Sequence, residues 1–195
     1  MFYSNKTGPE RLQMLNDSEL FNKWRCAFIE ISKNILAHGT TGRSLYALDV
    51  GDGSALSLML ATVAQQFSLD VSIITMERKQ FSNIFFSQLV DANKYSDKIL
   101  FIDELSEVDD MLCGEEESNP ELPSKISILF CECFFYQLSS QPVWQALSYL
   151  YMRNTLQPLI SSQTCIMPLR ARVMCAALEL PDLCRNHGFV HRYLL

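Results

Sequence analysis

Leu45–Val50, Asp70–Met76 and Ile99–Ile102 are short apolar runs, and the stretches between them place their apolar residues at helical intervals. Runs this short read as strands, whereas Leu56, Met59, Leu60, Val63 and Phe67 after the first run trace one face of a helix. Phe81, Ile84, Phe85, Leu89 and Ala92 do the same after the second. A strand followed by a helix and then another strand must cross over, so consecutive strands lie parallel and the helices cover the sheet. A fourth run, Ile126–Cys131, is the most apolar of all. This alternation predicts an α/β fold with a parallel sheet buried on both faces. Ahead of it, a helix is expected from Asn16-Asp17-Ser18-Glu19, where Asn16 and Glu19 have capping-box spacing. Its inward stripe is Leu20, Trp24, Ala27, Phe28, Ile31 and Ile35, and His38-Gly39 with Gly42 ends it.

The alternation breaks near the C-terminal end. Ser140 and Pro142 stand at cap and first-turn positions of a helix with Val143, Ala146, Leu147, Leu150 and Tyr151 turned inward. After Pro158, Thr164–Met167 and Arg172–Leu180 are β-like with no clear helix between them, so a second, antiparallel β element is expected. The expected organisation is an arm or linker over 1–13, an α/β domain over 14–160, and over 161–195 the start of a β domain that the chain only begins.

Hydrophobic residues make up 48% of the 195, with 12 Phe and 7 Tyr, enough to bury a core and to exclude disorder throughout. No apolar run reaches the ~18 residues that span a bilayer, and Met1–Glu10 is too polar for a signal peptide. Seven cysteines without close spacings are read as reduced thiols, the expectation for a cytoplasmic or nuclear protein. The net charge of −6 is concentrated: nine of the 22 acidic residues lie between Asp103 and Glu121, where there is no Lys or Arg. That stretch, within an expected acidic loop over 103–124, reads as solvated, the alternative being a docking site for basic tails. No basic face offers itself to nucleic acid, and no membrane partner is expected.

The turn Asp49-Val50-Gly51-Asp52-Gly53-Ser54-Ala55 joins the first strand to the next helix, which Ser54 can cap. Turns of this kind bind nucleotides because glycine lets the backbone approach a ligand, while the helix offers free N–H groups and its positive dipole end. Glu77, after the second strand, is placed to accept hydrogen bonds from ribose hydroxyls. Ala55 stands where a third glycine is usual, and its Cβ narrows the approach. The alternative is that Gly51 and Gly53 only make the turn and that Glu77 is a strand-end surface acid.

The D-x-G-x-G turn followed by an acid resembles the first motif of S-adenosylmethionine-dependent methyltransferases. Three further stretches resemble the protein arginine methyltransferases: Met14-Leu15-Asn16-Asp17 with Trp24-Arg25, Glu132 within LFCECFF, and Met167-Pro168 ahead of a strand. The resemblance covers about Met14 to Phe189 and is strongest to the second half of members that carry two methyltransferase-like halves in one chain. It implies a Rossmann-like class I methyltransferase sheet with helices on both faces, followed by the first strands of a β-barrel domain. It also implies Asp49, Gly51, Gly53 and Glu77 as cofactor-binding positions for S-adenosylmethionine, and Glu132 as one arm of a two-glutamate clamp on the substrate guanidinium.

The chain departs from that pattern. Active members carry, three residues after the aspartate of the first helix, an arginine that pairs with the donor carboxylate; here the residue is Leu20. The second glutamate of the clamp falls on Gln141, and the tyrosine-rich segment and the threonine–histidine–tryptophan triplet of active members have no counterpart here. The resemblance therefore implies a degenerate site with Glu132 as a vestigial catalytic candidate, and no donor bound by this module. The implied role is partner to a catalytic methyltransferase module, in the same chain or a dimer, whose intact form acts on protein substrates. A competent methyltransferase and a stand-alone protein-interaction module are the alternatives. Cys184, His187 and His191, with Cys175 upstream, have spacing compatible with zinc, but a two-cysteine hook is missing and no metal site is expected.

Overall fold

The computed structural model describes residues 16–38, 44–51, 55–77, 80–113, 126–132 and 145–170. Helix α1 is Ser18–Ala37, followed by strand β1 (Leu45–Asp49), α2 (Leu56–Gln66), β2 (Val71–Met76), α3 (Gln80–Ala92) and β3 (Ile99–Ile102). Then come α4 (Ser106–Cys113), β4 (Ile128–Phe130), α5 (Gln145–Thr155), a 3-10 turn at Gln157–Leu159 and β5 (Cys165–Met167).

The five strands form one sheet in the order β3-β2-β1-β4-β5, and every neighbouring pair is parallel. The chain builds outward from β1 to β3, then returns to the other side of β1 for β4 and β5. This reversal gives a doubly wound, Rossmann-like sheet and puts a switch point between β1 and β4.

Residues alternate across the sheet, as strand geometry requires. Leu45, Ala47, Val71, Ile73, Ile99, Ile128 and Phe130 pack with Phe28 and Ile31 of α1, with Leu56, Leu60 and Val63 of α2, and with Val90 of α3. Leu48, Ile74, Met76, Ile102 and Leu129 pack on the opposite face with Val108 and Leu112 of α4, Tyr149 of α5, and Leu156 and Leu159. Both faces are covered, as the alternation predicts. Helices α2 and α3 end alike: Leu69 N–H donates to Ala64 O at 3.0 Å and Tyr95 N–H to Val90 O at 3.1 Å. Ser68 (φ 53) and Lys94 (φ 62) take the left-handed position that closes such caps. Each cap turns the chain directly back into the next strand.

Several expectations are corrected. The N-cap of α1 is Asp17, not Asn16: its Oδ1 accepts from Leu20 N–H at 2.8 Å. The acidic stretch is not all loop, because Leu105, Val108 and Leu112 recur at helical intervals and seat α4 on the sheet. Helix α3 is rotated from the expected stripe, burying Phe86 and Val90 while Ile84 and Phe85 stand 54% and 44% exposed. In α5, Tyr149 is buried, and Leu150 and Tyr151 face solvent. The run expected to open an antiparallel element is instead the fifth parallel strand, with Ile128 in register with Cys165 and Phe130 with Met167. The second β-like run, Arg172–Leu180, and the Cys175–His191 cluster lie outside the described residues, as do the arm over 1–13, Ser140, Pro142 and Val143.

Candidate functional site

The register puts Asp49, Thr75 and Phe130 in one row at the carboxyl ends of β1, β2 and β4. Gly51, Glu77 and Glu132 each stand two residues beyond that row. Three of the residues singled out in the sequence therefore share the carboxyl edge at the switch point with Asp49, where open α/β sheets bind ligands. Gly53 and Gln141 lie outside the described residues.

Asp49 is fully buried. Its Oδ1 accepts from Gly51 N–H at 2.8 Å and its Oδ2 from Ser57 Oγ at 2.9 Å. Ser57 Oγ also lies 2.6 Å from Thr75 Oγ1. A buried carboxylate is tolerated only when its oxygens are hydrogen-bonded, and these contacts tie the turn, α2 and β2 together through one side chain. The sequence reading missed Ser57 and Thr75. The available signal was a serine beside Leu56 on the inward face of α2, and a polar residue closing an apolar strand.

Glu77 is a buried acid, not a strand-end surface residue, and its N–H donates to Ile102 O at 2.9 Å. Glu132 is half-buried beyond β4. Ala55 is the N-cap of α2 at φ −88 and ψ 6, with no side-chain cap bond. That conformation is open to any residue, so this position does not need glycine for its backbone. Ser54, the expected cap, is outside the described residues.

Helix α1 is anchored to the same edge by aromatic contacts. Phe28 meets Phe130 edge-on at 5.3 Å between ring centroids, and Trp24 packs on Phe28 at 5.9 Å. Leu20 lies one turn ahead of Trp24 and is half-buried. Lys23 is 71% exposed and ion-pairs with Glu19 at 2.6 Å, which raises its ammonium pKa through the hydrogen bond and charge of that carboxylate. It does not replace a cation at position 20.

A cavity of about 330 Å³ lies elsewhere, lined by Tyr46, Ser72, Ile74, Lys98, Leu100 and Leu112. It sits toward the amino ends of the strands and contains none of the site residues. Among the described residues there is no cluster of three His, Cys, Asp or Glu side chains that could hold a metal, and no helix is long and apolar enough to cross a membrane.

No family model matches the chain. It is 25% identical over 186 residues to protein arginine N-methyltransferase 7 of Oryza sativa subsp. indica, covering 92% of this chain and 23% of that protein. The protein of the same name from Oryza sativa subsp. japonica matches equally. The chain spans about a quarter of the length of these curated relatives. Among solved structures it is similar to the human methyltransferase 10 domain containing protein, at 17% identity and a TM-score of 0.46, covering 69% of this chain and 59% of that one. The N-terminal domain of human METTL16 matches at 16% identity and a TM-score of 0.43, covering 69% and 50%.

The residues present fit an S-adenosylmethionine molecule only in part. The turn at Gly51 and the buried Glu77 suit its nucleoside end. By the resemblance Leu20 stands where the donor carboxylate needs a cation, and an aliphatic side chain offers it neither charge nor hydrogen bond.

Proposed function

We propose that this chain is a non-catalytic module of a protein arginine methyltransferase, most like the second methyltransferase-like half of protein arginine N-methyltransferase 7. In this reading it is the pseudo-dimer partner of a catalytic half, in the same chain or a second one, in the cytoplasm or nucleus. The intact enzyme transfers a methyl group from S-adenosylmethionine to arginine in protein substrates; this module keeps the fold and contributes no chemistry. The carrying observation is Leu20, in the first turn of α1 where the resemblance calls for a donor-binding arginine, with the neighbouring Lys23 turned to solvent and held by Glu19. The similarity of nearly the whole chain to 23% of an arginine methyltransferase supports the reading of a module.

A second reading, a competent S-adenosylmethionine-dependent methyltransferase, is favoured by the placement of Asp49, Gly51, Glu77 and Glu132 along one edge. Methyl transfer separates the two. The purified chain, given radiolabelled S-adenosylmethionine and an arginine-rich protein, is expected to transfer no label. Added to an isolated catalytic arginine methyltransferase half, it is expected to co-elute with it and raise its rate. Labelled arginine from this chain alone would establish the second reading.

A further inference from the structure

We infer that Ser57 and Thr75 are positioning residues for the glycine turn and act through Asp49. Proton accounting gives the direction of the chain of bonds. An ionised carboxylate only accepts, so Ser57 spends its one hydroxyl proton on Asp49 Oδ2. The 2.6 Å contact between the two hydroxyls then has Thr75 as donor and Ser57 as acceptor. The relay runs from Thr75 to Ser57 to Asp49, whose other oxygen holds Gly51 N–H at 2.8 Å. All three side chains are buried, in surroundings where linked hydrogen bonds strengthen one another and solvent does not compete.

The relay joins three separate elements: the end of β2, the first turn of α2 and the end of β1. It fixes the rotamer of Asp49 and thereby the place of the Gly51 amide, with no ligand required. Asp49 thus acts as a clamp on the turn, with an oxygen committed on each side, and a ligand at this edge is read by the turn's backbone and by Glu77. The inference stands on these contacts alone and does not rest on the proposed function.

Amide hydrogen exchange on the full chain, without donor, tests it. The exchange rate of Gly51 is measured relative to Leu48, in the middle of β1, so that global opening cancels. Ser57→Ala and Thr75→Val each remove one hydroxyl at little change in volume. Each is expected to raise the Gly51 rate over that of Leu48 by about tenfold or more, while Thr75→Ser, which keeps the hydroxyl, stays within about twofold of the parent. An unchanged ratio in both hydroxyl-deleted variants would overturn the inference, as would Thr75→Ser behaving like Thr75→Val. If Ser57→Ala fails to fold, the two Thr75 variants decide the matter alone. Because no donor is present, failure of the methyltransferase-module reading leaves this result standing, and failure here leaves that reading untouched.

Discussion

Phe28 of α1 meets Phe130 of β4 edge-on, with ring centroids 5.3 Å apart and planes at 79°. Both rings are fully buried, and Phe130 shares the row of Asp49 at the carboxyl ends of the strands. This aromatic pair, with Ile31 and Trp24 beside it, docks the first helix on the sheet. Phe28→Ala removes that pair and leaves a cavity against the sheet. The expected loss is about 3–5 kcal/mol of folding stability, measured by urea unfolding. A loss below ~1 kcal/mol would mean that α1 is not docked on the sheet in this way.

The start of α1 gives a second, smaller test. Asp17 accepts from Leu20 N–H, so Asp17→Ala should cost about 1 kcal/mol. Asn16→Ala should cost no more than a few tenths, since Asn16 is outside the cap. Thermal unfolding of the two variants checks the order, and the reverse order would restore the register read from the capping box.

Lys98 and Asp70 tie the amino ends of β3 and β2 at 2.8 Å, near the surface. The hydrogen bond and charge of Lys98 lower the Asp70 carboxyl below its usual 3.8, and those of Asp70 raise the Lys98 ammonium above its usual 10.5. A depressed carboxyl contributes stability above its unfolded pKa and loses it as pH falls through the lower folded value. A raised ammonium contributes below its unfolded pKa and loses it as pH rises through the higher folded value. The pair therefore acts between these limits and fades at both extremes. Exposure and salt screening keep it small, at most ~0.5 kcal/mol. Asp70→Asn should lower stability slightly at pH 7 in low salt, and the difference should shrink as the pH falls below the usual carboxyl range, as read by urea unfolding across pH.

Much of the architecture was legible because it rests on period and length. The apolar runs at Leu45, Asp70, Ile99 and Ile126 became strands β1 to β4, and Asp49, Gly51, Glu77 and Glu132 fell at the carboxyl ends of β1, β2 and β4. What was not legible has identifiable causes. Helix α3 is apolar around much of its circumference, with Ile84, Phe85, Phe86, Leu89 and Val90 in one stretch, so spacing cannot choose the buried face and packing on the sheet does. The same holds for α5, where Tyr149 is drawn inward and its hydroxyl donates to Met167 O at 3.1 Å. Helix α4 was hidden by its acids, whose charge outweighed the three inward aliphatics. Strand β5 is only three residues long, too short for a pattern to tell parallel from antiparallel. Ser57 and Thr75 escaped notice because their role lies between elements, in a contact no local pattern encodes.

The central claim, a methyltransferase-like module that has lost its donor, is tested most directly by calorimetric titration with S-adenosylmethionine, run on the parent chain and on Leu20→Arg. The parent is expected to give no binding heat up to about millimolar donor, and the arginine variant to gain measurable affinity from a restored carboxylate partner. Binding by the parent at about micromolar donor, unimproved by Leu20→Arg, would contradict the account.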